Sequence, residues 1–585
     1  MSRRLPWARI GGALAALVAT AVFATGHAVM LGLLVAWHAA LIALPMAAVV
    51  LACLRAGLRD ATVLAVCGLA GGGLGAFVLF WIWWASPTGG ALASVAWIAA
   101  SAAIVGSLLA RLDRDAIAHA APLGMATLMW VSYALFLLAF CLAPSGFQAP
   151  LEVVQHHFGL ALPYDNELPL IFAQQVAKDR VAVPMSLQWL SSDRPPLQTA
   201  YFLASGAALL PRPELHYQVQ ATLLQTLWAP GMWLLLRSFR IARGALFAAL
   251  AASMFSGFAF IHGIFTWPKL FPVVYIAVVT AIVLNASRES LGDGRVAMAT
   301  GACFALAMLC HPGSAFVLLG LGVALWALRR IPPVRFLAIA GIAALIALLP
   351  WALYQRYADP PGNRLLKWHL ADVQDVDARS VGQALRDAYA AITFEQLVDN
   401  KVQDLRMIVG PASAVPLVAE ASTVGLGDED ASTLRHLQFF HIAVALGVLA
   451  LAPLAWLVPR AWRMREFGAS LQLVTICLVT MVPWVLLMFP RGGTVIHTGS
   501  LAMVCFLFSA AMLAFYAASR WLAIAAFALH ILLTLDVYAR STGLVEGATR
   551  ADYRAFNALA VVAVALACAA LWKLAGTKQE SSPLK

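Results

Sequence analysis

The sequence predicts an all-α membrane protein that crosses the bilayer many times. Of its 585 residues, 62% are hydrophobic and 11% are charged, and the mean hydropathy is +0.83. Many apolar segments run to about 20 uncharged residues, which is the length of a bilayer-spanning helix. Helices are expected because backbone polar groups in lipid must pair within the chain, and these uninterrupted segments do not alternate as barrel strands do.

The net charge of +11 does not indicate a nucleic-acid-binding protein. Most of the basic residues stand in short clusters between apolar segments, where Lys and Arg orient helices relative to a membrane. The eight cysteines all lie inside apolar segments and have no C-x-x-C spacing. Neither a disulfide framework nor a zinc site is therefore predicted.

Basic residues at the start of the chain predict a cytoplasmic N-terminus by the positive-inside rule. They are Arg3, Arg4 and Arg9. The basic head and the apolar stretch after it resemble a signal peptide, but a second apolar segment follows at once, which favours an uncleaved first helix. Five crossings are then predicted from segment length. They cover residues 10–28, 30–53, 61–85, 91–110 and 122–143.

Five crossings place residues 144–196 in an extracytoplasmic loop. Later basic clusters such as "LRSFRIARG" and "PRAWRMREFG" all fall on the cytoplasmic side, together with the C-terminus, if about sixteen segments cross. Residues 197–210 are too short for a comfortable crossing, so we expect a half-helix or a re-entrant piece. Residues 355–437 form a second extracytoplasmic loop, whose apolar spacing predicts short amphipathic helices that lie near the membrane surface.

The first loop carries two groups of residues with candidate chemistry, "YDNELP" at 164–169 and "SSDRPPLQTAYF" at 191–202. A lone acid in a polar loop is usually an ordinary solvated charge. Asp165 and Glu167, however, stand beside a membrane surface and near fixed cations, which favours a tuned acid or base role. The sequence therefore predicts one of these two carboxylates as a catalytic group.

Further turns on the same predicted face carry cations, histidines and an aromatic ring. They are His262, Trp267 and Lys269 in "FIHGIFTWPKLFP", His311 in "LCHPGSAF", and Arg491 and His497 in "FPRGGTVIHTGS". Each alone is usually structural, since such a Lys snorkels and such a His is solvated. Together they predict a site for a phosphate whose lipid tail lies in the bilayer. His156, His157 and the two loop carboxylates match no metal-ligand spacing, so a divalent metal is not indicated.

The ordered pair "YDNELPLIFAQQVAKDRVAVP" and "LQWLSSDRPPLQTAYF" resembles the GT-C membrane glycosyltransferases of the protein O-mannosyltransferase and lipid A aminoarabinose transferase type. The resemblance covers roughly residues 120–350. It implies a bacterial inner-membrane enzyme whose extracytoplasmic active site moves a sugar from a polyprenyl-phosphate donor to a glycolipid, polysaccharide or protein. Asp165 matches the family's proposed base, and Arg194 stands where the family usually has Lys before Pro-Pro.

The resemblance divides the chain into four parts. They are N-terminal helices at 1–121, a GT-C-like core at 122–354, the outer loop at 355–437 and C-terminal helices at 438–585. In this interpretation Arg194 and Lys269 stabilise the leaving phosphate, Arg491 is a further candidate for that role, and direct displacement inverts the anomeric carbon. No cofactor is implied.

The sequence departs from the family's pattern at three points. The family commonly has adjacent Asp-Glu, whereas Asn166 separates the two acids here; about four helices precede the core; and Lys269 stands in a turn that often carries an acid.

Other functions stay open. A transporter or flippase would need ionisable residues in the middle of helices, which are almost absent here. An O-antigen ligase or polymerase would fit the loop at 355–437 only in part, and a non-catalytic relative is a third alternative.

Overall fold

The computed structural model is all-helical, and it has no strand among the residues it describes. Those residues are 26–142, 147–156, 158, 162–179, 181–358, 362–411, 428–494, 501–539 and 550–577. The predicted first crossing, 10–28, lies almost entirely outside them. His157 and His497 also lie outside them.

Eight helices in the described part of the chain are long and apolar enough to cross a membrane. They are Gly26–Arg55, Ala61–Ala85, Pro87–Leu109, Arg114–Cys141, Val334–Tyr357, Arg465–Leu487, Arg520–Tyr538 and Arg554–Ala575. Two bent pairs, Arg243–Met254 with Gly257–Ile264 at 55° and Glu429–Phe440 with Ile442–Leu457 at 117°, would raise the number to ten. The predicted all-helical fold with many helices that could span a membrane is confirmed for the described residues, and the sixteen crossings expected are not confirmed.

Several predicted crossings are short or interrupted helices, which explains the difference. Apolar helices of 15, 17 and 14 residues cover Phe271–Asn285, Gly294–Cys310 and Ser314–Ala327, and each is shorter than the roughly 20 residues of a full span. The predicted crossing at 216–236 is two consecutive helices, Pro213–Thr226 and Trp228–Ser238.

Residues 197–210 do not form a spanning helix. The chain makes the eight-residue helix Leu197–Ala204 and then a 3-10 turn, Ala207–Leu209. The remaining helices of the chain are Pro150–His156, Leu168–Ala177, Arg288–Gly292, Arg364–Ala371, Val381–Ala390, Phe394–Val409, Asp428–Phe440, Ile442–Leu446, Ala452–Ala455 and Leu501–Ala518. Both long loops therefore contain short helices.

The acids of the short basic loops serve as helix caps. Asp60 accepts hydrogen bonds from the backbone N–H groups of Thr62 and Val63 at 2.9 and 3.0 Å. Asp113 and Asp293 cap the next helices in the same manner. An oxygen at this position satisfies N–H groups that the first helical turn leaves unpaired. These acids are thus explained by local structure.

The basic loops gather at one end of the helix bundle, around an open cavity of about 1360 Å³. Its lining includes Arg59, Arg237, Arg240, Arg295, Arg330 and Arg465. The helices Arg114–Cys141 and Val334–Tyr357 start at or beside this cavity and extend for about 1.5 Å per residue. The two long loops that follow them consequently lie at the opposite end, where the candidate site is found.

Candidate functional site

The first loop carries Asp165 in a short 3-10 turn, Tyr164–Asn166, just before the helix Leu168–Ala177. Pro169 stands in the first turn of that helix, where its missing N–H costs nothing. Asp165 is 7% exposed. The polar stretch predicted as a loop is therefore folded into the protein, and its first carboxylate lies inside.

Asn166 fixes this turn to the rest of the structure. Its side chain accepts a hydrogen bond from Gln155 Nε2 at 2.9 Å and donates one to the Leu151 carbonyl at 3.3 Å. Its carbonyl accepts one from the Tyr217 hydroxyl at 2.9 Å. Because these hydrogen bonds fix Asn166, Asp165 and Glu167 on either side of it have different partners. Gln155 Nε2 also donates to Glu167 at 3.1 Å.

The "DRPP" segment forces its Arg into an extended conformation. Ser191–Asp193 make one 3-10 turn, and Arg194 follows with φ −119° and ψ 96°. A residue before proline is sterically excluded from the helical region, so Pro195 accounts for this conformation. Helix Leu197–Ala204 starts only after Pro196. The Arg194 side chain thereby reaches Asp165, which lies earlier in the same loop.

Asp165 and Arg194 form a buried ion pair. Arg194 Nη2 donates to Asp165 Oδ1 at 2.5 Å. The guanidinium carbon lies 4.0 Å from the centre of the Trp189 ring and 5.5 Å from that of Trp267, distances suited to cation–π contact. Burial lowers the pKa of Arg194, and the Asp165 charge opposes that shift. The predicted base and the predicted phosphate ligand thus bind each other.

Lys269 lies in the turn between helices Gly257–Ile264 and Phe271–Asn285. The side chain of Gln225 holds this turn through hydrogen bonds. The Gln225 side chain accepts hydrogen bonds from the backbone N–H groups of Leu270 and Phe271, both at 2.9 Å, and donates to the Trp267 carbonyl. Glutamine therefore caps the second helix and fixes the turn, so that Lys269 and Trp267 keep one orientation.

The Lys269 ammonium is buried without a hydrogen-bond partner among the described residues. Its Nζ atom lies 3.2 Å from the centre of the Trp267 ring. Burial lowers the pKa of Lys269 well below its usual value, while the charge of Asp165 opposes that shift and the charge of Arg194 adds to it. An anion bound beside Nζ would stabilise the protonated form that burial disfavours.

The second loop supplies residues that the sequence analysis did not identify. Arg364, at the start of helix Arg364–Ala371, donates to Asp193 Oδ2 at 2.8 Å, and both side chains are almost fully buried. Trp368 of the same helix stacks on Trp189 with ring centres 5.7 Å apart. The two loops therefore form one structure around Arg194.

Two histidines, His311 and His369, lie close enough to Lys269 to be affected by its charge. The charge of Lys269 acts on both rings, and the charge of Arg194 also acts on His311. Burial, with the charge of Lys269 as a second cause, lowers the pKa of His369 to about 4 and that of His311 well below its usual value. Neutral imidazoles at this position can donate hydrogen bonds to an anion.

Two further predicted site residues have other contacts. The charge of Lys269 also acts on His262, but this ring is packed between aromatic rings, with centres 4.4 Å from Phe258 and 4.5 Å from Phe439. Arg491 is exposed and paired with Asp399 at 3.0 Å. The structure thus brings Asp165, Arg194, Trp267, Lys269 and His311 together. Arg491 forms an ion pair at the surface. Glu167 stays close to these residues because it is hydrogen-bonded to Gln155.

Two of the three buried cations of the site are in ion pairs. Asp165 pairs with Arg194 and Asp193 with Arg364, whereas the Lys269 ammonium has no hydrogen-bond partner among the described residues and lies beside the partly buried ring of Trp267. No group of three or more His, Cys, Asp or Glu in the described part of the chain could hold a metal ion. The arrangement is suited to binding an anion between Lys269 and Arg194.

Comparisons with models of protein families, with curated proteins and with solved structures found no match for this chain.

Proposed function

We propose that the protein is a membrane glycosyltransferase of the GT-C type that transfers a sugar from a polyprenyl-phosphate donor to an acceptor hydroxyl. The acceptor would be a glycolipid, a polysaccharide or a protein. The observation that supports this proposal best is the buried Lys269 ammonium, which has no hydrogen-bond partner among the described residues and lies near the Asp165–Arg194 pair. The negative charge of a phosphodiester would supply the partner that this ammonium lacks there.

The proposed reaction is one inverting displacement. The acceptor oxygen forms a bond to the anomeric carbon, and its proton passes to a carboxylate within hydrogen-bond reach. The bond from the anomeric carbon to the phosphate oxygen breaks, and its electron pair stays on the phosphate. Lys269 and Arg194 stabilise the charge that develops there. The prenyl chain lies in the bilayer beside the apolar helices around Trp267.

Asp165 is our first candidate for the base and Glu167 the second. Asp165 lies among the cations that would hold the leaving phosphate, so a donor bound there puts its anomeric carbon near this carboxylate. When Arg194 turns to the phosphate, Asp165 is released to accept a proton. Glu167 is half-buried and accepts a hydrogen bond from Gln155, which leaves it free to contact an acceptor.

We propose that the enzyme lies in a bacterial inner membrane with the site on the extracytoplasmic face and both termini in the cytoplasm. The basic loops at the opposite end of the bundle support this orientation, because Lys and Arg accumulate in cytoplasmic loops. The rival transporter interpretation has less support, since the charged residues described above cluster at the ends of the bundle.

A transfer assay with purified protein in lipid, supplied with polyprenyl-phosphate sugars and envelope acceptors, tests the proposal. Asp165→Asn should reduce the rate by about 10²-fold or more if this carboxylate is the base, and Glu167→Gln should do so if the second candidate is correct. Asp179→Asn is the control, because Asp179 is exposed in the same loop and its φ of 54° suits Asn. Full activity in both Asp165→Asn and Glu167→Gln would contradict the proposal.

A further inference from the structure

The helix Phe394–Val409 of the second loop has an exposed apolar stripe. Its members follow helical spacing, so they share one face. They are Phe394, Val398, Val402, Leu405 and Val409, with exposed fractions of 81%, 45%, 42%, 49% and 56%. A helix with such a stripe either binds a partner or lies on a membrane.

A second face of this helix is fixed to the protein. Asp404 and Ile408 are buried, and Gly493 N–H donates to Asp404 Oδ1 at 2.8 Å. Lys401 donates to the Met488 carbonyl, and Asn400 donates to the Phe489 carbonyl at 3.2 Å. The helix is therefore held against the two residues that follow the spanning helix Arg465–Leu487.

These contacts fix the depth of the helix relative to the bilayer. The spanning helix has 23 residues, and at 1.5 Å per residue it is about 35 Å long, close to the thickness of a hydrocarbon core. Its first residue, Arg465, lines the cavity among the basic loops. Its far end at Leu487 is thus at the opposite membrane boundary, and the helix Phe394–Val409 lies at that boundary.

The spanning helix has an apolar face of its own that ends near this boundary. It exposes Leu471, Leu478, Val482 and Leu486 on one side, as a helix in contact with acyl chains does. The third flank of the helix Phe394–Val409 carries Glu395, Asp399 and Arg406, all exposed, and Asp399 is paired with Arg491 in solvent.

We propose that the helix Phe394–Val409 is an interfacial helix, with its apolar stripe inserted into the outer boundary of the bilayer. The flank with Asp404 and Ile408 then packs on protein, the apolar stripe contacts lipid, and the flank with the exposed charged residues faces water. The flank in water has no excess of basic residues, so insertion depends on the buried apolar area and not on anionic headgroups. This inference does not depend on the proposed glycosyl transfer.

Spin labels on the full-length protein in lipid nanodiscs test the proposal. p-Acetylphenylalanine at position 402, 405 or 403 carries the label and leaves the eight native cysteines unchanged. Oxygen concentrates in lipid, whereas a nickel chelate stays in water. Labels at Val402 and Leu405 should be more accessible to oxygen than to nickel, and the control at Gln403 should show the reverse.

Two further observations distinguish contact of the stripe with lipid from contact with water or with another protein. The ratios at Val402 and Leu405 should stay the same when phosphatidylcholine is partly replaced by phosphatidylglycerol. Nickel accessibility equal to that at Gln403 would put the stripe in water, and protection from both reagents would put it against another protein surface. Either result would overturn the proposal.

Discussion

At the scale of single residues, Asn166 decides how the two loop acids are used. Its side chain is hydrogen-bonded to the helix Pro150–His156 and its carbonyl to the helix Pro213–Thr226. Asp165 therefore faces Arg194 and Glu167 faces Gln155. The residue that stands between the two acids in the sequence is thus a structural anchor that separates the carboxylates.

Lys269 gives the site a dependence on pH. Burial lowers its pKa well below the usual value, so this amine loses its proton at a lower pH than an exposed lysine does, and the attraction for a phosphate is lost as the pH rises. We expect the KM for the donor to rise with pH in the native protein. It should be nearly flat in Lys269→Arg, because a guanidinium keeps its proton throughout.

The control for this profile is Lys178→Arg, which alters an exposed lysine of the first loop. It should leave the slope of KM against pH as it is in the native protein. The same slope in Lys269→Arg would show that another group titrates, and Lys269 would then lose its assigned role.

At the scale of elements, the Asp193–Arg364 pair joins the two long loops. Asp193 Oδ2 accepts hydrogen bonds from Arg364 Nη1 at 2.8 Å and from the Leu190 N–H at 3.0 Å. Burial raises the pKa of Asp193, although the charge of Arg364 opposes that shift. Removing one member of a buried pair leaves an unpaired charge, which costs about 3–5 kcal/mol.

A double-mutant cycle measures this connection. Arg364→Gln and Asp193→Asn should each lower the thermal stability and the donor affinity, and the double variant should recover a large part of the loss, because it leaves no unpaired charge. The exposed pair Arg379–Asp387 of the second loop is the control and should contribute little, because solvent screens both charges. Additive losses at Asp193 and Arg364 would mean that the pair does not hold the loops together.

At the scale of the whole molecule, the charges are segregated to the two ends of the bundle. The basic loops line the cavity at one end, and the paired carboxylates and Lys269 lie at the other. An orientation follows from this arrangement, since clusters of Lys and Arg stay in the cytoplasm. It predicts that Gln188 faces the extracytoplasmic side and Glu289 the cytoplasm.

Cysteine labelling in intact cells checks this orientation. Gln188→Cys and Glu289→Cys introduce thiols at exposed positions. A maleimide that cannot cross membranes should label Gln188→Cys in whole spheroplasts and Glu289→Cys only after lysis, with the native protein as the control. The reverse pattern would contradict the orientation.

The sequence predicts the helical membrane fold, the two long loops and the proximity of Asp165 and Arg194, because apolar length and an ordered motif are local signals. It does not predict that Arg364 meets Asp193 across 171 positions, since this contact depends on how the second loop folds onto the first. A weak signal existed in "RLLKWHLAD", where Arg364 and Trp368 share a helix face. The sixteen crossings expected are not confirmed, because several apolar segments of the described chain form short or broken helices.

A cryo-EM structure of the full-length protein in nanodiscs with a polyprenyl phosphate tests the central claim most directly. We expect phosphate density within hydrogen-bond distance of Lys269 Nζ and the Arg194 guanidinium, with the prenyl chain in the adjoining bilayer. Phosphate density only in the basic cavity at the opposite end, around Arg240 and Arg330, would contradict it.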